Sequence, residues 1–441
     1  MSQSSRTPLD LPAVLRRLAH IERRELPALG WSFVFFFSVL AAYYVIRPVR
    51  EEMAVTVGRE WLQALFVIVL LVMVAAVPLF GWVVSRFQKR RIVPVVYAFF
   101  IACLGAFWLL LTVHGGGVLT AGAFFVWVSV FNLFAVSLFW SVMADTYTSE
   151  QAKRLYGLIA AGGSAGAISG PLLTQSVVHT FGAANLLLVS AAFLTAAILA
   201  VRAMRDAISG AAVQEEERLA GGGLLAGARR VWQSPYLFRI ALWVLIANLI
   251  GTYFYFEQTR IVGEAYSNPA DRVQLFARMD LAVNTLTVLG QLLVTGAFLS
   301  RLGVGLTAAI LPAAAMAGLA ALAASPSVGV IAAVMIVERA VGFAFANPAL
   351  RTLYTVVPAE DKYKAQNFVD TVVFRAGDAA SGWLFGPVAK AAGIGLSAVV
   401  VLTLPLAAIW LALSIALGRR QRERDAAEHP SVAIAEARRG A

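Results

Sequence analysis

The chain has 441 residues, 60% of them hydrophobic and 14% charged, far from the roughly half-apolar, quarter-charged make-up of soluble domains. This excludes a soluble enzyme, and one cysteine, Cys103, with four histidines excludes intrachain disulfides and multi-cysteine metal or redox motifs. The net charge of +11 does not imply a nucleic-acid partner, because the basic residues gather in the tails and in alternate loops between apolar runs, the pattern that encodes membrane topology.

Residues 1–25 form an arginine-rich tail with no apolar stretch leading to a small-residue cleavage site, so a signal peptide is not expected. A span needs about 20 apolar residues. Runs of that kind fall at 29–46, 61–84, 92–113, 118–142, 155–177 and 183–203, giving a first six-helix half over 26–204. A charged, Gly-rich linker over 205–235 follows, part of it readable as an amphipathic helix on the membrane surface. The second half, 236–418, has runs at 236–256, 279–299, 304–324, 327–347, 366–389 and 394–418, and 419–441 is a basic tail. The expected fold is an all-α polytopic membrane protein with twelve transmembrane helices in two six-helix pseudo-repeats.

Of the 36 Lys and Arg residues, 27 lie on the side of the N-terminus, in the tails, linker and loops or, for Arg202 and Arg239, at the span ends beside the linker, seven lie opposite, and Arg339 and Arg375 fall deep inside spans. The bias puts both termini and the linker in the cytoplasm of a cell whose cytoplasmic (inner) membrane holds the protein. The halves also share a repeat. Gly81 through Ser85-Arg86 leaving span 2 matches Gly296 through Ser300-Arg301 leaving span 8, at an offset of 215. Tyr43, Arg47 and Arg50, read as the end of span 1, fall on Tyr253, Glu257 and Arg260 at an offset of 210, as Glu150 and Arg154 fall on Glu360 and Lys364.

Six plus six spans, a central linker, internal termini and a Gly-xxxx-Arg turn followed by basic residues resemble the major facilitator superfamily. The segment FGWVVSRFQKRR keeps Gly81, Arg86, Arg90 and Arg91 of that family's loop signature and has Ser85 where the signature carries Asp. Gly81, Arg86, Arg90, Arg91, Gly296 and Arg301 are accordingly gating-loop candidates, joined by Lys362 and Lys364 in the 10/11 loop.

An ionisable residue inside a bilayer costs about 2.5 to 3.5 kcal/mol on insertion scales and marks a functional candidate. Arg47 and Arg50 lie three residues apart on one helix face, with Tyr43 a turn before them. Guanidinium forks so placed suit an anion, although snorkelling to headgroups is the plainer alternative. Glu338 and Arg339 sit half-way along span 10, where adjacent residues face different neighbours and pair with other helices. Asp280 reads as a helix-end residue. Gly162, Gly166 and Gly170 of span 5 recur every four residues, which suits close helix packing. No nucleophile, metal or nucleotide-hydrolysis motif occurs, so neither an enzyme nor a cofactor is expected.

The stretch from Asn347 to Gly382 holds Lys362, Lys364, Asp370, Arg375 and Asp378. It resembles the ATP/ADP translocase family of plastids and intracellular bacteria, whose members carry a pattern similar to KxKxKxxxDxxxxR. Gln366 stands here for the third lysine. Tyr44, Arg47, Arg50 and Glu51 resemble the end of that family's first span, and Phe139-Trp140 through Gln151-Ala152-Lys153-Arg154-Leu155-Tyr156 resembles its FW...EAKRxY block, with Val128 where an acidic residue would stand. The resemblance implies a carrier, and nucleotide exchange as its specific version.

The expectation is therefore a secondary transporter moving an organic anion, working as a monomer by alternating access. Tyr43, Arg47, Arg50, Arg260, Arg339 and Arg375 would bind substrate. Glu257, Glu338, Asp370 and Asp378 would balance charge or carry a coupling proton. The rivals are a proton-coupled carrier of a peptide-like, siderophore or lipid solute, and a non-transporting membrane sensor or assembly factor.

Overall fold

The computed structural model describes residues 22–86, 89–113, 115–208, 224–384 and 396–428. Spans 1 to 4 are Leu26–Val57, Arg59–Arg86, Lys89–Val113 and Val118–Thr146. Spans 5 and 6 form one stretch, Ser149–Ile208, divided at Gly182, whose φ of 77° leaves the right-handed region that only glycine leaves without strain. After the linker helix Leu224–Gln233 come span 7, Pro235–Ala265, span 8, Pro269–Arg301, span 9, Gly303–Ala324, and span 10, Val328–Leu353. Span 11 covers 359–383 and span 12 is Leu396–Glu428.

Among the described residues, nine helices are long and apolar enough to cross a membrane, with spans 5 and 6 counted together. Two more spans complete the set: span 2, a continuous helix with Trp61–Ala76 as its described apolar part, and span 11, which carries Asp370, Arg375 and Asp378. The architecture is all-α and polytopic, with twelve helices in two sets of six. The duplication shows in the helix starts. Spans 1, 2, 4 and 5 begin 209 or 210 positions before spans 7, 8, 10 and 11, and the ends of spans 2 and 8 differ by 215. Span 8 is the longer of its pair, and a π turn, Gln291–Thr295, lies between the two matching ends.

Two spans are longer than hydropathy suggests. Span 1 runs on past residue 46 to Gly58, so Arg47 and Arg50 lie inside the helix and not at its end; polar residues there are tolerated because each meets an opposite charge. Span 8 starts at Pro269 and not at 279: Asn268 caps it by accepting from the Ala270 N–H at 3.0 Å, and Asp271 and Arg272 pair with residues of the other half, Arg272 largely covered there.

Each half has its own core. The first is built from spans 1 to 6 with Phe256 and Val273 reaching in, the second from spans 7 to 12. Span 5 lies directly against span 1, where a Cβ on Gly162 would stand 2.5 Å from the Phe33 carbonyl and one on Gly170 would stand 2.8 Å from the Tyr44 Cβ. The four-residue glycine repeat is thus a packing face, as its spacing predicts. The residues of the FW...QAKRLY block do the same work nearby: Phe139 stacks on Phe36 at 4.0 Å, and Gln151 and Arg154 hold Glu25 at 2.9 and 3.0 Å. Burial would raise the Glu25 carboxyl, but the donors from Gln151, the Glu22 backbone and Arg154 outweigh it and hold it below its ordinary value.

Candidate functional site

The halves meet mainly at the end away from the termini. There Arg272 of span 8 pairs with Glu52 of span 1 at 3.5 Å, His179 faces Asp271 at 3.6 Å, and Gln274 donates to the Gln175 carbonyl at 3.2 Å. Half-way down, Asn284 donates to the Ala167 carbonyl at 2.7 Å. Towards the termini the halves part. One gap of about 490 Å³ opens between Tyr44 and Ser164 on one side and Asn347 and Arg351 on the other. A second, central cavity of about 620 Å³ reaches from Gln258 and Tyr255 to Arg351 and Asp370.

This central cavity collects the charges. Arg47 and Arg50 come from span 1, Glu338 and Arg339 from span 10, Arg375 and Asp378 from span 11. Arg47 reaches Asp280 Oδ1 at 3.2 Å and Arg339 reaches the same oxygen at 2.8 Å. Asp280 is 1% exposed and its Oδ2 is buried without a donor. This carboxylate therefore ties span 1 of one half to spans 8 and 10 of the other. Arg50 pairs with Glu51 at 3.0 Å and lies 3.9 Å from the centre of the Phe125 ring, a cation–π contact that supports a buried guanidinium. Arg375 reaches Asp378 at 3.4 Å, Thr252 donates to Asp378 at 2.9 Å, and Arg351 reaches Asp370 at 2.7 Å.

Two π turns aim these side chains. Gly342–Ala346 follows Glu338 and Arg339 directly, and Val369–Val373 precedes Arg375. A π turn frees backbone carbonyls from the helical ladder and is frequent at functional sites. Here the freed groups have partners: Gln291 donates to the Phe343 carbonyl at 3.1 Å, and Thr295 to the Ala344 carbonyl at 2.7 Å. The π turns of spans 8 and 10 are thereby joined side by side.

The cavity is charge-balanced rather than strongly positive. Every arginine on its wall has a carboxylate within 3.4 Å, with Arg47 and Arg339 sharing one. Glu338 is the exception on the acidic side. It lines the cavity across from Gly251, where a Cβ would stand 3.4 Å from its Oε1, and it has no ion pair or hydrogen bond among the described residues. The expectation that Glu338 and Arg339 both pair with other helices holds for Arg339 alone. Of the two span 11 aspartates, Asp378 serves Arg375 and Asp370 turns to Arg351.

The remaining sequence candidates lie elsewhere. Tyr43 packs edge-on against Tyr44 at 5.1 Å, off the cavity wall. Arg260 is bound to Glu257 at 2.7 Å and Glu264 at 3.1 Å, near the far end of span 7, and neither Arg260 nor Glu257 lines the cavity. Gly81, Gly296 and Arg301 are exposed at helix ends. The side chains of Arg86, Arg90 and Arg91 lie outside the described residues. Lys362 and Lys364 stand at the start of span 11, against which the linker helix docks through Gly227 and an Arg230–Asp361 pair of 3.0 Å. Asp280, Glu51, Phe125, Thr252 and Arg351 were not singled out as site residues from sequence. A larger cleft of about 1440 Å³ between spans 2, 3 and 4 is lined by apolar side chains and offers no polar chemistry.

No protein-family profile matches the chain, and no curated protein matches it in sequence. Solved structures do. The chain is similar to a bacterial homologue of the human lysosomal transporter Spinster in an inward-facing, unoccupied conformation, at 13% identity and a TM-score of 0.57, over 92% of this chain and 99% of that one. A bacterial homologue of the iron transporter ferroportin, inward-facing, gives 11% identity, a TM-score of 0.62 and coverage of 93% and 99%. The nucleoside transporter NupG, as its D323A mutant, gives 17%, 0.57, 90% and 99%. At such identities the likeness establishes the fold. It is of the major facilitator type, and the chain is a multi-pass membrane protein.

Proposed function

We propose that this chain is a secondary transporter that carries a small organic solute with an anionic group across a cytoplasmic membrane, by rocking its two halves about the central cavity. The observation that carries the reading is the seam itself: guanidiniums from both halves face one cavity that is sealed at one end and open at the other. Ligand sites between inverted or paired repeats near the bilayer midplane are the general plan of such carriers. The likeness to transporters supports the same reading, and their printed cargoes differ enough that none is carried over. With both termini cytoplasmic, the open end faces inward. One chain holds both halves and would suffice as a monomer.

Nucleotide exchange is the specific version that the sequence resemblance supports. The balanced charge of the cavity favours a solute less charged than a polyphosphate, because such an anion would have to displace several carboxylates already paired in a low-dielectric site. A proton-coupled carrier is the second reading, and the unpaired Glu338 favours it.

The test is counterflow into liposomes holding the purified protein, with labelled ATP, ADP, amino acids and small organic acids, and Arg50→Ala as control. Saturable uptake of an anion-bearing solute, lost in Arg50→Ala, is the expected outcome. Absence of flux for every solute, in protein shown to be folded, overturns the transport reading and leaves the sensor or assembly role.

A further inference from the structure

We infer that the solute of this cavity is a zwitterion, held by Glu338 at its cationic end and by the Arg47 and Arg339 pair at its anionic end. The inference rests on the transport reading of the same cavity and narrows it to a substrate class.

Three observations converge. First, Glu338 is the one cavity carboxylate with no ion pair or hydrogen bond among the described residues, its compensation coming only from the charge of the adjacent Arg339, and a carboxylate so placed in a bilayer is costly unless something cationic meets it. Second, Arg47 and Arg339 share a single oxygen of Asp280. Arg47 also stands 4.0 Å from Glu51, which Arg50 holds at 3.0 Å, and each guanidinium has five N–H donors, so the pair keeps donors free for a carboxylate. Third, Gln258 Oε1 on the cavity wall is a buried acceptor with no hydrogen-bond partner. A solute that brings N–H donors meets that deficit, and an anion without donors does not.

Position makes the two poles one site. Glu338 and Arg339 are consecutive on span 10, so they stand at the same height in the membrane and diverge by about 100° around the helix axis. Both line the cavity. A compact solute with an ammonium and a carboxylate a few atoms apart, such as a free amino acid or a short peptide, spans that gap. A polyphosphate matches the Arg47 and Arg339 side and is repelled by Glu338. An organic cation matches Glu338 and is repelled by the arginine pair.

The experiment uses the full-length purified protein and compares compounds on one skeleton. Leucine, N-acetylleucine and leucinamide are zwitterion, anion and cation, and dialanine with its acetylated and amidated forms gives a second set. The shift of the thermal unfolding midpoint is recorded for each at millimolar concentration. At least one zwitterion is expected to stabilise the protein at concentrations about tenfold below either capped form. In Glu338→Gln that preference is expected to vanish, and in Glu338→Asp, which keeps the charge, to persist. Equal stabilisation by the acetylated form, or an unchanged preference in Glu338→Gln, overturns the zwitterion and leaves an anion carrier in place. No shift from either set overturns it too. Failure of the transport reading is a separate result, namely no counterflow of any solute into proteoliposomes.

Discussion

Asp280 is the residue on which the two halves converge, and its energetics are set by how many charges depend on it. Removing one partner of a buried ion pair costs about 3 to 5 kcal/mol, because the other charge is left without compensation. Asp280→Ala takes the carboxylate from Arg339 and leaves Arg47 only its longer 4.0 Å contact with Glu51, both guanidiniums being 14% exposed, whereas Arg339→Met leaves the Arg47–Asp280 pair intact. The unfolding midpoint of the purified protein is therefore expected to fall in the order wild type, Arg339→Met, Asp280→Ala. An Asp280→Ala midpoint equal to wild type would mean that the shared carboxylate contributes nothing to stability. At this scale the arginines were legible in the sequence and the aspartate was not. Arg47, Arg50, Arg339 and Arg375 stand out because a charge inside an apolar run is conspicuous. Asp280 sits at the edge of its apolar run, and what gives it importance is Arg47 and Arg339, which arrive from spans 1 and 10. Pairing across sequence separations of 233 and 59 residues has no local signature. Glu338 shows the converse: its neighbour in sequence suggested a paired role, and the fold leaves it alone.

Between helices, glycine decides how closely backbones approach. Gly166 of span 5 sits so near Phe37 and Ala41 that any Cβ would press on main-chain atoms, which cannot swing aside. Gly166→Leu is expected to destabilise the protein by about 1 to 3 kcal/mol, as overpacking does, and to lower its unfolding midpoint. Gly157, with open space around its Cβ, is the control, and Gly157→Ala should leave the midpoint unchanged. The linker helix depends on the same device. Gly227 packs on the Lys364 carbonyl and on the Phe368 Cβ, where an added Cβ would stand 2.8 Å away. Gly227→Val should lift the helix from span 11, leaving the Arg230–Asp361 pair to hold it. Faster tryptic cleavage after Arg229 or Arg230 in membranes is the readout, and an unchanged rate would show that the docking does not depend on this contact. Elements were well legible where apolar length marks them, and their bounds were cut short where paired charges lie within a helix, as at Arg47 and at Asp271 with Arg272. The π turns at Gln291–Thr295, Gly342–Ala346 and Val369–Val373 were not legible. Nothing in GFAFA or QLLVT marks a π turn, and the donors that take up the span 10 carbonyls come from the neighbouring span.

For the molecule as a whole, contacts lie at one end and cavities at the other, and under the proposed rocking mechanism this is one of two states whose balance rests on a few polar pairs. Glu52 is 4% exposed and meets Arg272 across the seam at 3.5 Å, with Thr56 donating to it at 2.6 Å. This pair exists only while the end away from the termini is closed. Arg272→Gln removes the attraction and leaves a buried carboxylate with one neutral donor, so the closed end is destabilised and the population moves towards the state closed near the termini. About 1.4 kcal/mol of lost preference is a tenfold change in that equilibrium. Spin labels at Thr148→Cys, between spans 4 and 5, and Thr355→Cys, between spans 10 and 11, are both exposed and sit on opposite halves at the terminal end. In a Cys103→Ser background their distance distribution is expected to gain a shorter component in Arg272→Gln, and to gain it again when a transported solute is added. Under the proposed mechanism the two effects have one cause: a solute bound at Arg47 and Arg339 would draw the halves together from the open side, and the substitution would loosen them on the other. A distribution unmoved by Arg272→Gln would place the barrier to rocking in the apolar contacts of the seam, such as Phe66 against Tyr255 and Phe256, and take it away from the ion pair.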